Sequence, residues 1–220
     1  QPPRGFKQVK EAAKKIGRQY SLLYTNTTDA DFNFYDNLIF VKKLGDNSYV
    51  SPLSTTAFIS YKYKLLGSDF DDGKKYYRVQ VKPRKLGNAL FSGELHIWDE
   101  SWTLKYVNLS VPKRSLILYN SFTIEQWYTS AKGKWVLAQE QLQWEIKTKS
   151  SQSIGEAKVL FQDYSFDSTY TKRFFNAEVG ITQDSAYDRD TSYWSTIRPV
   201  PLTTDESKFI AYKDSIYRIT

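Results

Sequence analysis

Residues 91–111, FSGELHIWDESWTLKYVNLSV, decide the fold. In the first half Leu95 and Ile97 fall on one side of an extended chain, while Glu94, His96 and Trp98 fall on the other, because successive strand side chains point to opposite faces. Asp99, Glu100 and Ser101 are turn formers. Beyond them Val107, Leu109 and Val111 resume the two-residue period. The stretch therefore reads as a hairpin with one apolar face and one polar, aromatic face, as in an antiparallel sheet covered on one side.

The same alternation extends in both directions. Upstream, DFDDGKKYYRVQVKP (69–83) opens with an Asp- and Gly-rich turn. It then places Tyr77, Val79 and Val81 opposite Arg78, Gln80 and Lys82, so residues 57–82 are expected to form a hairpin. Downstream, SLILYNSFTIEQWY (115–128) and KWVLAQEQLQWEIKT (134–148) form a third pair around Ala131-Lys132-Gly133, and GEAKVLFQDYSF (155–166) adds a strand. NFYDNLIFV (33–41) and SPLSTTAFISYKYKLLG (51–67) are read as earlier strands. Short strands joined by polar turns, with no helices between them, predict a mainly β domain over residues 31–166, built as a curved antiparallel sheet or an open half-barrel.

The flanks follow other rules. Phe6, Val9, Ala12, Ala13, Ile16 and Tyr20 recur at three- and four-residue intervals, which predicts an amphipathic N-terminal helix and arm within residues 1–30. From 167 to 220 the period is lost, and an extended connector is expected. Its stiff part is YWSTIRPVPLTTDE (193–206), where Pro199 and Pro201 fix their own backbone and bias the residues before them toward extended conformations. Tyr193, Trp194, Arg198, Pro199 and Pro201 are the residues expected to make it an ordered strap, with the Arg198 guanidinium hydrogen-bonded to a carboxylate or to carbonyls. The final KFIAYKDSIYRIT fits a short helix or a strand.

Composition narrows the chemistry. The chain has 220 residues, no cysteine and one histidine. That excludes disulfides, a thiolate nucleophile and Cys/His zinc sites. A Ser-His-Asp triad would have to use His96, and no G-x-S-x-G accompanies it. The carboxylate pairs Asp99/Glu100 and Glu140/Glu145 sit at odd separations, hence on opposite strand faces. The acidic turn at 69–73 has Gln80 where a calcium loop needs a bidentate Glu. No catalytic residue, metal or cofactor is therefore expected. The net charge of +7 is scattered along the chain without a recognition helix or stacking motif, so no nucleic-acid partner is expected either.

NFYDN (33–37), SPLS (51–54), YKYKLLG (61–67), FSGELHIWDESWTLKYVNL (91–109) and YWSTIRPVPLTTDE (193–206) together resemble an uncharacterised outer-membrane-associated family of Bacteroidetes. Its members look like mosaics of a carboxypeptidase-regulatory-like sandwich, a middle region of this kind and a predicted C-terminal β-barrel. The resemblance implies a fragment of a longer protein, placed at the periplasmic face of the outer membrane, whose partner is the remainder of its parent. The strand run is also similar to the half-barrel of periplasmic lipoprotein carriers, which implies a sheet able to hold a lipid or apolar ligand.

The expected function is thus non-enzymatic, in assembly, transport or binding. The aromatic residues expected to meet a ligand are Trp98, Trp102, Tyr106, Trp127 and Trp144. The alternative is a glycan-binding surface linked to polysaccharide use, since exposed aromatic rings also stack on sugars.

Overall fold

The computed structural model describes residues 8–13, 31–85, 89–166 and 180–219. The chain divides into two compact units, one of Ser21–Tyr164 and one of Gln1–Tyr20 with Ser165–Thr220.

The first unit is built on a seven-stranded meander. Its strands are β4 (Tyr61–Asp71), β5 (Lys74–Pro83), β6 (Ser92–Trp98), β7 (Leu104–Ser110), β8 (Ser121–Ala131), β9 (Lys134–Lys147) and β10 (Gln152–Leu160), each antiparallel to the next. The sheet is open, with β4 and β10 at its edges. Two of its turns are as short as hairpin turns come: Asp72 (φ 47°) with Gly73 (φ 72°), and Lys132 (φ 50°) with Gly133 (φ 76°). Positive φ at both central residues gives the turn a twist that matches the strands it joins.

One face of the sheet is apolar and covered. Val81, Leu95, Val107, Leu109, Phe122, Ile124 and Leu142 form a core with Phe32, Phe34, Ile39, Val41, Leu44 and Tyr49 of the preceding segment. Phe32 packs on Phe122 at 5.9 Å between centroids, and Phe34 and Tyr49 pack on Phe91 at 5.4 and 5.3 Å. Hydrogen bonds tie the segment to the strands. The Tyr35 hydroxyl accepts from the Leu104 amide at 3.0 Å, and the Tyr61 hydroxyl accepts from the Phe91 amide at 3.0 Å while donating to the Val50 carbonyl at 2.5 Å. Gln126 is buried and donates to the Phe32 carbonyl at 2.8 Å and to Glu140 at 2.6 Å.

This covering segment departs from the expectation of long strands over 33–41 and 51–67. Only β2 (Leu38–Ile39) and β3 (Tyr49–Val50) pair there, and a single helical turn, α1 (Ala57–Ser60), precedes β4. Asn33 is the reason at the first site. Its side chain accepts from the Tyr35 amide at 3.2 Å and its carbonyl from the Asp36 amide at 3.1 Å, which turns the chain before a strand can form.

The second unit corrects the expected N-terminal helix. Gln8–Lys10 is a strand, β1, paired in parallel with β11 (Gly180–Thr182). The distant partner supplies hydrogen bonds that a short basic helix would have had to supply alone. Residues 1–7 and 14–30 of that expected helix and arm lie outside the described residues.

The expected extended strap is also corrected. Thr191–Ile197 is a helix, α2, capped by Asp190, whose carboxylate accepts from the Tyr193 amide at 2.8 Å. Those capping bonds hold the Asp190 carboxyl below its ordinary range. Tyr193 and Trp194 meet edge to face at 5.5 Å. The Arg198 guanidinium stands 5.9 Å over the Trp194 ring, rather than on the carboxylate or carbonyls expected of it. Pro199 and Pro201 fall in the short non-helical stretch between α2 and α3 (Thr204–Ile219). A reciprocal cap starts α3: Thr203 donates its amide to Glu206 at 2.7 Å, and the Glu206 amide donates back to the Thr203 hydroxyl at 3.2 Å.

Candidate functional site

The other face of the sheet is not covered by the 32–53 segment, and its register builds a row of groups, exposed at Arg78 and half-buried beyond it. Arg78, His96, Tyr106 and Trp127 are successive cross-strand partners on β5, β6, β7 and β8. Tyr76 lies opposite Trp98 one step along. Directly opposed residues on one face are close enough for rings to touch. The rings form a continuous chain: Trp135 to Trp98 at 5.4 Å, Trp98 to Tyr76 at 5.9 Å, Tyr76 to His96 at 5.3 Å, His96 to Tyr106 at 5.0 Å, and Tyr106 to Trp127 at 5.2 Å.

A bulge adds a cation. Between the pairs His96–Tyr106 and Ile97–Leu104 the register slips by one residue of β7, leaving Lys105 as the extra residue. Leu104 stays in the core, and Lys105 and Tyr106 both turn outward. The Lys105 ammonium then sits 4.9 Å over Tyr76 and 5.2 Å over Trp98, and pairs with Asp71 at 2.7 Å.

Polar groups border the rings. Glu94 Oε1 accepts from Arg78 Nε at 2.8 Å and lies 2.7 Å from His96 Nε2. The Arg78 bond, ahead of the His96 one, holds the Glu94 carboxyl below its ordinary value. An ionised carboxylate only accepts, so His96 carries its proton on Nε2. Burial pushes the imidazole below its usual pKa, against the pull of Glu94. The Tyr106 hydroxyl donates to Glu125, which also takes the Asn108 side-chain amide at 3.4 Å. Burial, then the Glu125 carboxylate, raise the Tyr106 phenol well above its ordinary range, so it is a donor at any physiological pH.

Of the five aromatic residues expected at a ligand, the structure brings three together and separates two. Trp98, Tyr106 and Trp127 belong to the ring chain. Trp102, with φ 53° in the β6–β7 turn, is 71% exposed and stacks on Tyr77 at 6.0 Å. Trp144 stacks on Phe122 at 6.4 Å at the border of the covered core. Glu140 is buried on the covered face, whereas Glu145 accepts from Gln152 at 2.6 Å on exposed strands. Tyr76, Lys105 and Trp135 were not among the expected residues. Tyr76 was legible, since it continues the Arg78–Gln80–Lys82 alternation backward by one step.

Residues 1–164 match a family of unknown function, DUF5686. The chain belongs to that family. The DUF5686 match takes in the whole meander and, of the motifs that carry the resemblance, all but YWSTIRPVPLTTDE (193–206). Comparison with the curated proteins and with the solved structures gave no match.

Proposed function

We propose that this domain is a non-enzymatic binding module of a larger outer-membrane protein, working at the periplasmic face, and that it binds glycan chains on the face of its sheet opposite the 32–53 segment. One observation carries the reading. Six rings in unbroken contact run across that face, bordered by donors and acceptors on Arg78, Glu94, Asn108 and Glu125. Aromatic planes accept the apolar C–H faces of pyranose rings, and side chains already oriented by mutual hydrogen bonds meet hydroxyls without reordering. The outer-membrane setting and the wider parent come from the motif resemblance; family membership is compatible with both.

A lipid held on the apolar face, as in lipoprotein carriers, finds less support. Phe32, Phe34, Ile39, Val41, Leu44 and Tyr49 already fill that surface at 3% exposure or less. The test is a titration of the chain with cellohexaose, laminarihexaose, maltohexaose and mannohexaose, followed by tryptophan fluorescence and calorimetry, with phosphatidylglycerol vesicles in parallel. Binding of at least one hexaose that Trp127→Ala weakens supports the reading. Binding to vesicles alone, or to nothing, removes it.

A further inference from the structure

At the turn end of the sheet the ring chain runs into a pocket. Three separate turns converge there: β4–β5 contributes Phe70 and Lys74, β6–β7 contributes Asp99 and Glu100, and the start of β9 contributes Trp135. Trp98 lines it as well, and the volume is about 440 Å³. Small-molecule sites fall in the range of roughly 300–1,000 Å³, so the pocket suits a ligand of one or two rings.

Trp98 is the informative wall. Only 9% of it is exposed, and it is held by Trp135, Tyr76 and the Lys105 ammonium. Its indole N–H is buried, with no acceptor among the described residues. The charges around the pocket cancel in sign. Lys74 and Lys75 face Asp99 and Glu100, and Lys75 already leans on Asp99 at 4.0 Å and the Tyr77 hydroxyl at 3.4 Å. A net anion or cation therefore gains nothing over a neutral molecule, whereas a hydroxyl-rich one finds donors and acceptors side by side, with indole planes between them.

We propose that this pocket is a subsite for the terminal one or two residues of a neutral glycan, with a sugar ring against the Trp98 and Trp135 indoles and a ligand hydroxyl donating to Glu100. The inference rests on the glycan reading of that face and adds where a chain end is held. It makes the pocket the end point of the ring chain, with Trp127 at the far end engaged only by longer chains.

Disaccharides separate the two. Cellobiose, laminaribiose, maltose and mannobiose are titrated into the full chain beside their hexaoses, with the Trp98 indole N–H followed by ¹⁵N NMR. A disaccharide matching the bound hexaose is expected to bind and to move the Trp98 N–H signal. Glu100→Gln, an exposed turn substitution that leaves folding intact, is expected to weaken that disaccharide roughly tenfold, the loss of one charge-assisted hydrogen bond. Trp127→Ala is expected to weaken the hexaose and leave the disaccharide unchanged. If a hexaose binds in a Trp127-dependent way while Glu100→Gln has no effect and the Trp98 signal stays still, the subsite is refuted and the broader reading stands. If no saccharide binds, both fall.

Discussion

Gly93→Ala probes the tightest point of the sheet. Gly93 lies on β6 with φ 151°, between Val81 of β5 and Leu109 of β7. A Cβ placed there would stand 2.1 Å from the Asn108 carbonyl oxygen and 3.1 Å from the Leu109 Cα. Both obstacles are backbone in a strand paired on both sides, so neither can rotate away, and β6 and β7 would have to part by about 1 Å. Forcing a non-glycine residue into that φ region costs about 1–3 kcal/mol, and overpacking a fitted core costs about 1–3 kcal/mol more. The sum, roughly 2–6 kcal/mol, is a large share of the ~5–15 kcal/mol that holds a typical domain folded. Gly67→Ala separates the two costs. Gly67 has φ 153° but meets nothing within 4 Å, so it bears the backbone cost alone, about 1–3 kcal/mol. Urea unfolding followed by tryptophan fluorescence reads the difference, because Trp98, Trp102, Trp127, Trp135 and Trp144 all lie in the unit that contains the sheet. With a slope of about 1–3 kcal/mol per molar urea, Gly93→Ala is expected to lower the midpoint by about 1 M or more. A midpoint equal to that of Gly67→Ala would refute the claim that β7 crowds this position.

Gly155→Ala sets a Cβ 2.2 Å from Trp144 Cε2; displacing that ring from Phe122 is expected to cost about 1–3 kcal/mol and to change the fluorescence maximum, and an unaltered spectrum with unaltered stability would contradict it. Gln126→Ala removes a donor from the Phe32 carbonyl and from Glu140, and the acceptor of the Tyr128 hydroxyl; a loss of about 2–4 kcal/mol in urea unfolding is expected. Because burial holds His96 below its ordinary pKa of 6.5, the unfolded chain binds the extra proton first: stability is full above pH 6.5 and declines as pH falls from there toward the folded value. His96→Gln is expected to flatten that slope, and a slope that persists would exclude His96 as its source. Thr203→Ala breaks the reciprocal cap of α3 and is expected to cost that helix about 1 kcal/mol, read as lost helical circular dichroism.

The meander was legible because its information is local. Alternation in 74–82, 94–98 and 107–111 and the turn residues Asp72-Gly73 and Lys132-Gly133 act within a few positions of one another. What escaped was set by distant partners. The stripe of Phe6 to Tyr20 suits a helix until Gln8–Lys10 finds Gly180–Thr182, more than 160 positions away, and no period in either segment announces the other. NFYDNLIFV has strand composition, yet only Leu38–Ile39 pairs, while Phe34 packs on Phe91 in the core. The helix α2 is a different kind of miss. Asp190 before Thr191 is a cap signal and Pro199 a stop, both readable, and the prolines drew the reading toward extension.

The site was half legible, and the reason lies in the bulge on β7. Counting back from Val111, Leu109 and Val107 places Tyr106 outward correctly, and places Lys105 inward with the core. The slip at His96/Ile97 reverses that, turning Lys105 outward and Leu104 into the core, so the cation arrives over Tyr76 and Trp98 from a position where alternation predicts an apolar residue. An ammonium in a core would be prohibitive, so a lysine at an inward position is itself a sign that the register breaks there. Trp135 has no such sign, since its contact with Trp98 joins β9 to β6 across two intervening strands. The bulge thus links the two halves of the proposal: the ammonium it turns outward, paired with Asp71, braces the Tyr76 and Trp98 rings that connect the pocket to the rest of the chain. Lys105→Met keeps the stem and removes the charge. If the cation orders the rings, this variant is expected to weaken a bound hexaose severalfold, a share of the about 0.5–2 kcal/mol of a partly buried cation–π contact, with urea stability changed far less. Unchanged hexaose affinity beside a large loss of stability would mean that Lys105 serves only to fasten β7 to the β4–β5 hairpin.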